Sequence, residues 1–160
     1  YTGEDAHKTT RAALQIMRTH DLHFCTLTKG GTRALRDIDL FTPDDAFAST
    51  LTSLHDAVSI EWEPNAALPD DRLAALYAFH RKGIPTWVSL EPVIDPEQSK
   101  RIIRTAYEYV DEFKVGVLNY HPLAKEIDWK RFGFEVVELL ESLGKRYYIK
   151  YDLKKAMGLV

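Results

Sequence analysis

The sequence holds a single cysteine, Cys25, in 160 residues. A lone thiol closes no internal disulfide and cannot by itself hold a zinc ion or an iron–sulfur cluster. Basic excess is also absent: 21 Lys and Arg stand against 24 Asp and Glu, for a formal charge of -3. Duplex-DNA binders ordinarily carry a cationic footprint, so composition gives a nucleic-acid partner no support. No apolar run approaches the roughly 18 residues that a membrane-crossing helix needs. No secretory leader opens the chain, and the reading is a protein of the reducing cytoplasm without a membrane partner. Neither G-x-S-x-G nor a Walker phosphate loop occurs. The histidines (His7, His20, His23, His55, His80 and His121) are dispersed, with no H-x-x-x-H pair and no cysteine pair nearby, so no metal site is assigned. The chain begins at Tyr1 rather than Met and turns helical within a few residues. A native N-terminal part is therefore expected to be missing.

What is present is a 45% hydrophobic chain, enough for one core and a single domain over residues 1–160. Helix-like and strand-like segments alternate. Glu4 to Thr19 has apolar residues at helical spacing, and His23 to Thr28 reads as a short strand. Thr42-Pro43-Asp44-Asp45 has the form of a helix start, predicting a helix to about His55. Ala57 to Trp62 then reads as a strand. Pro69 opens a helix that Gly83 closes, and Pro85 to Leu90 is a strand. Pro96 opens a helix to about Asp111, and Lys114 to Asn119 is a strand. Trp129 to Leu143 is a helix, Tyr147 to Tyr151 a strand, and Asp152 caps a last short turn. Such alternation predicts an α/β fold with a parallel sheet.

The predicted strands are not uniformly apolar, as doubly covered parallel strands usually are. Ser59, Glu61 and Glu63 oppose Val58, Ile60 and Trp62. Trp87, Ser89 and Glu91 oppose Val88 and Leu90. Thr26 and Thr28 oppose Cys25 and Leu27, and Lys150 and Asp152 oppose Ile149 and Tyr151. An unpaired carboxylate in an apolar core costs several kcal/mol. A wet concave face is the simpler arrangement, which predicts a partial (β/α) barrel. Barrel chemistry sits at the carboxyl ends of strands. Those ends carry Thr28-Lys29, Glu61 and Glu63, Glu91, Asn119-Tyr120-His121 and Lys150-Asp152. The competing reading is solvated strand-end charge paired with Arg33, Arg36 or Lys150.

Single constellations are less informative. Glu61 and Glu91, on consecutive predicted strands, could form the carboxylate pair of a barrel glycoside hydrolase. Lys29-Gly30-Gly31-Thr32 has the wrong glycine spacing for a phosphate cradle and reads as a turn. Cys25 reads as a buried, inert thiol on the helix-facing side.

The segments TTRAAL (Thr9–Leu14), TLTKGG (Thr26–Gly31), LRDIDL (Leu35–Leu40), VSIEWEPNAALPDDRLAAL (Val58–Leu76), GIPTWVSLEPVID (Gly83–Asp95) and FKVGVLNY (Phe113–Tyr120), with the terminal YYIKYDLKK, occur in an order that resembles the radical S-adenosylmethionine (SAM) proteins related to spore photoproduct lyase, the DNA repair photolyase-like group. The resemblance spans nearly the whole chain. It implies the C-terminal portion of a radical SAM TIM-like barrel. It implies S-adenosylmethionine and a [4Fe–4S] cluster in the parent protein, with reductive cleavage to a 5′-deoxyadenosyl radical. The C-x-x-x-C-x-x-C loop is absent here, so this portion alone is expected to bind no cluster and to be inactive. By the same resemblance Ser59 and Glu61 face the ribose and methionine groups. Leu90 to Val93 flank the adenine, with Ser89, Glu91 and Val93 among the cofactor-facing positions. Asn119 and Tyr120 lie at the far edge, and Lys29 meets the methionine carboxylate or the substrate. No catalytic residue is assigned. The expected partners are the missing N-terminal part of the barrel and, through open sheet edges, a second copy. A non-catalytic α/β binding module is the alternative.

Overall fold

The computed structural model describes residues 9–160. Helix α1 (Thr9–Thr19) leads into β1 (Cys25–Thr28), and a 3₁₀ segment (Gly31–Leu40) connects to β2 (Ala46–Thr50). Two consecutive helices follow, α2 (Asp56–Trp62) and α3 (Pro69–Arg81), then β3 (Thr86–Leu90). Helix α4 (Pro96–Ala106), β4 (Glu112–Val115), α5 (Trp129–Ser142), β5 (Arg146–Ile149) and α6 (Tyr151–Met157) complete the order. The part of the first predicted helix before Thr9 lies outside the described residues.

All five strands are parallel, and their order in the sheet, β1-β2-β3-β4-β5, is their order in sequence. A doubly wound sheet reverses direction at a switch point and so covers both faces. A sheet that never reverses, with crossovers of one hand, keeps its helices on one face. Burial agrees. Phe47, Val88, Leu90, Phe113, Val115 and Ile149 share the inner face and are buried with Leu76, Phe79, Ile103, Phe132, Val136 and Leu140 of the helices. Phe47 stacks on Phe79 with ring centroids 3.8 Å apart, and Phe41 meets Phe79 edge-on. Burial of such rings contributes about 1.5–3 kcal/mol each. The opposite face is open. Alternation along the strands puts Cys25, Leu27, Trp87, Lys114 and Tyr148 there; Cys25 is exposed, and Leu27 and Tyr148 are 50% and 51% exposed. The expected partial (β/α) barrel, with one covered and one open side, is the fold observed.

Three local expectations are overturned. The segment expected as a helix from Thr42 to His55 contains β2, and the expected strand Ala57–Trp62 is α2. Asp45 explains the first. Its carboxylate accepts from the Thr42 backbone N–H at 2.7 Å, as the acid three residues beyond the cap does in a capping box, and also from Thr42 Oγ1 at 2.9 Å. It also accepts from Phe24 N at 3.0 Å and pairs with Arg18, so the turn fastens α1 and the entry of β1 to β2 instead. The second follows from burial: Ser59 is buried while Ile60 is 60% exposed, the reverse of the expected strand faces. The third concerns β1. Thr26 and Thr28 stand in register with Phe47 and Ser49 on the helix side, and the supposedly inert Cys25 is on the open face.

Candidate functional site

Several polar and charged side chains meet at the carboxyl ends of the strands. After β1 comes Lys29. Its ammonium lies 2.9 Å from Glu63 Oε1, and its side chain is 40% exposed. Glu63 Oε2 accepts from Arg72 Nη1 at 2.5 Å. Arg72 is 1% exposed, and each of its three guanidinium nitrogens donates a hydrogen bond. It donates to the carbonyls of Ala67 at 2.6 Å and Thr50 at 3.0 Å, and to Ser59 Oγ at 3.0 Å. This buried arginine ties the β2 end, α2 and the α2–α3 loop together. A buried guanidinium is tolerable only when its donors are matched in this way.

After β3, Glu91 pairs with Lys150 at the end of β5, and Lys150 Nζ is 3.4 Å from Ser89 Oγ. The Glu91 carboxylate lies against Gly116 beyond β4: a Cβ on that glycine would stand 2.2 Å from Glu91 Oε1. The Glu91–Pro92 peptide is cis. Asn119 Nδ2 donates to Asp152 Oδ2 at 3.1 Å beside a cavity of about 580 Å³ walled by Val117, Leu118, Trp129 and Ala156. His121 packs at a tilt on Trp62 with ring centroids 4.9 Å apart, so the loop after β4 meets the end of α2. Two residues past β2, the Thr52 hydroxyl is buried and without a hydrogen-bond partner.

Lys29 and Glu91 stand directly beyond strand ends and Ser89 stands within β3, as expected. The fourth strand, expected over Lys114 to Asn119, is β4 (Glu112–Val115), so Asn119 and Tyr120 lie in the loop that follows, with Tyr120 fully exposed at φ 58. Three further expected positions are engaged elsewhere or point away. Ser59 is spent on Arg72. Glu61 is exposed on α2, so the carboxylate pair with Glu91 on neighbouring strand ends does not form. Val93 is sealed in the core. The helix expected over Thr42 to His55 hides Thr50, Thr52 and Ser53 at the β2 end. The run Ser49-Thr50-Leu51-Thr52-Ser53 carries the signal, with hydroxyls where barrel strands end. Arg36 pairs with its neighbour Asp37 at 2.6 Å rather than with a strand-end carboxylate. Among the described residues no helix is long and apolar enough to cross a membrane.

An open parallel sheet with sequential strand order, helices on one side and ionisable groups at its carboxyl ends is a segment of a β/α barrel. No protein-family model matches the chain. No curated protein matches it either. Solved structures do. The chain is similar to SuiB of Streptococcus suis bound to S-adenosylmethionine, with a TM-score of 0.71, 13% identity, and coverage of 91% of this chain and 37% of that one. SuiB bound to its precursor peptide SuiA gives 0.72 and 13%, covering 92% and 36%. A further structure of SuiB gives 0.73 and 13%, covering 94% and 38%. At that identity the likeness establishes the fold, and the chain spans well under half the length of SuiB.

Proposed function

We propose that this chain is part of a radical SAM barrel and contributes the S-adenosylmethionine-facing strand ends. One observation carries the reading: nine-tenths of the chain superposes on a protein that binds S-adenosylmethionine, and the motif order independently resembles the radical SAM family. The narrower likeness to the photolyase-like group rests on the sequence motifs alone, and the substrate stays open.

The residues present suit the nucleoside cofactor better than the cluster. An ammonium (Lys29) can meet its carboxylate. A carboxylate already balanced by one cation (Glu91 with Lys150) can take its amino group or ribose hydroxyls. Ser89, Asn119 and the unpartnered Thr52 hydroxyl add neutral donors and acceptors. Bound S-adenosylmethionine supplies a sulfonium open to reductive cleavage. The protein's part is to orient it and to keep water from the open face. A [4Fe–4S] cluster does not fit. Cys25 is the one cysteine, its sulfur receives the Trp87 indole N–H at 3.0 Å, and the described residues hold no group of three His, Cys, Asp or Glu placed for a metal. Cluster ligation falls to polypeptide beyond this chain.

The test is titration calorimetry with S-adenosylmethionine. One-to-one binding that weakens on Glu91→Gln and on Lys29→Met supports the reading. Absence of binding at millimolar ligand, or binding that neither substitution weakens, overturns it. A binding module without catalysis is the second reading. The half-open sheet and the single thiol favour it for the isolated chain, and it shares the same strand-end site.

A further inference from the structure

We propose that Glu63, clamped by Arg72, is the positioning residue that sets Lys29 as the anion-recognition group of the strand-end site. The inference rests on the S-adenosylmethionine reading above and deepens it.

The argument starts from charge. Arg72 is almost wholly buried and so is Glu63, whose side chain is 4% exposed. In this contact cluster two cations, Arg72 and Lys29, share one carboxylate. The three groups therefore carry a net charge of about +1, and only Lys29 reaches solvent. Arg72 takes Glu63 Oε2 in a hydrogen bond and fixes the carboxylate through three further donations to Ala67, Thr50 and Ser59. The other oxygen, Oε1, is buried, accepts no aligned hydrogen bond, and has only the Lys29 ammonium at 2.9 Å. The ammonium is thus held by charge while its donors stay unspent. An ammonium has three donors, so an incoming carboxylate can be met without breaking the Glu63 contact. The main chain holds the same register: Ala67 N donates to the Lys29 carbonyl at 2.9 Å. A long lysine stem otherwise loses much rotamer freedom on binding, and pre-setting it removes that cost from the ligand's affinity.

The test uses two probes, S-adenosylhomocysteine, which has the amino-acid carboxylate, and adenosine, which lacks it. Their affinities are measured for the native chain, Glu63→Gln, Lys29→Met and the double variant. The proposal expects Glu63→Gln to weaken S-adenosylhomocysteine about fivefold to tenfold, to leave adenosine unchanged, and to have no further effect once Lys29 is Met. Equal losses for both probes, or a Glu63→Gln loss that persists in the Lys29→Met background, mark a merely structural role and overturn it. Because Glu63→Gln leaves a buried guanidinium unbalanced, the pair Glu63→Gln with Arg72→Met serves as the second variant and is expected to give the same probe split. A ligand-free readout stands beside these: the Lys29 side-chain NMR signals are expected to sharpen and lose dispersion in Glu63→Gln. Unchanged signals overturn the proposal without any ligand. If adenosine binds and Lys29 is indifferent to the carboxylate, this inference alone falls. If neither probe binds, the S-adenosylmethionine reading falls with it.

Discussion

Replacing Arg72 by Met removes a side chain that is 1% exposed and donates four hydrogen bonds. The carbonyls of Thr50 and Ala67 lose a donor, Ser59 loses its partner, and Glu63 becomes a buried charge balanced only by the partly exposed Lys29. Breaking one side of a buried pair in this way costs about 3–5 kcal/mol. The Met stem refills part of the space, which keeps the estimate at the lower end, about 3 kcal/mol. For a domain of this size that is a fall of roughly 10 °C in melting temperature. The companion variant, Arg72→Met with Glu63→Leu, removes both charges and is expected to recover about 2 kcal/mol of that loss. Urea unfolding followed by circular dichroism gives both numbers. A loss below about 1 kcal/mol for the single variant, or a double variant less stable than the single one, would refute the reasoning that the pair is a desolvated, mutually dependent unit.

Gly116→Ala puts a methyl group where the Glu91 carboxylate lies; it is expected to displace Glu91 from Lys150, cost about 1–2 kcal/mol in urea, and weaken S-adenosylmethionine binding by calorimetry. Cys25 is exposed on the open face and is expected to react with a thiol reagent in the native state at a rate that denaturant raises only modestly; protection until unfolding would show that the face is covered. Lys100 and Arg131 hydrogen-bond Glu135 and hold its carboxyl below its ordinary 4.5. A depressed carboxyl adds stability that is present above that value and lost as pH falls through the folded-state pKa, so the stability gap between the native chain and Glu135→Gln should narrow as pH drops below about 4. Urea midpoints at pH 7 and pH 3 measure it.

The alternation of strands and helices, five parallel strands and the open face were legible in the sequence, because Val88, Leu90 and Ile149 alternate with Trp87, Ser89 and Lys150 at a period of two. The segment from Thr42 to Trp62 was not. Thr42-Pro43-Asp44-Asp45 satisfies every local rule for a helix start, and only the long-range acceptance from Phe24 N and the ion pair with Arg18 make it a strand entry. The run AVSIEW is β-branched and aromatic, and its helix is settled by Ser59 reaching Arg72, a contact 13 residues away. The two errors cancel in the strand count, so the architecture survived while Ser59 and Glu61 were placed on the wrong element. Lys29, Ser89 and Glu91 lie at strand ends as expected, because the sequence pattern ends β1 at Thr28 and β3 at Leu90, where the structure ends them, whereas β4 ends at Val115 and leaves Asn119 in the loop beyond it. Glu63 and Arg72 were invisible as a pair, since nothing local marks an arginine as buried.

The measurement that bears most directly on the account is backbone amide mapping by NMR during titration with S-adenosylhomocysteine. The account predicts shifts confined to the carboxyl ends of the strands, at Lys29, Thr52, Ser89, Glu91 and Asn119, with α4 and α5 silent. Shifts centred on the outer helices, or none at saturating ligand, would contradict it.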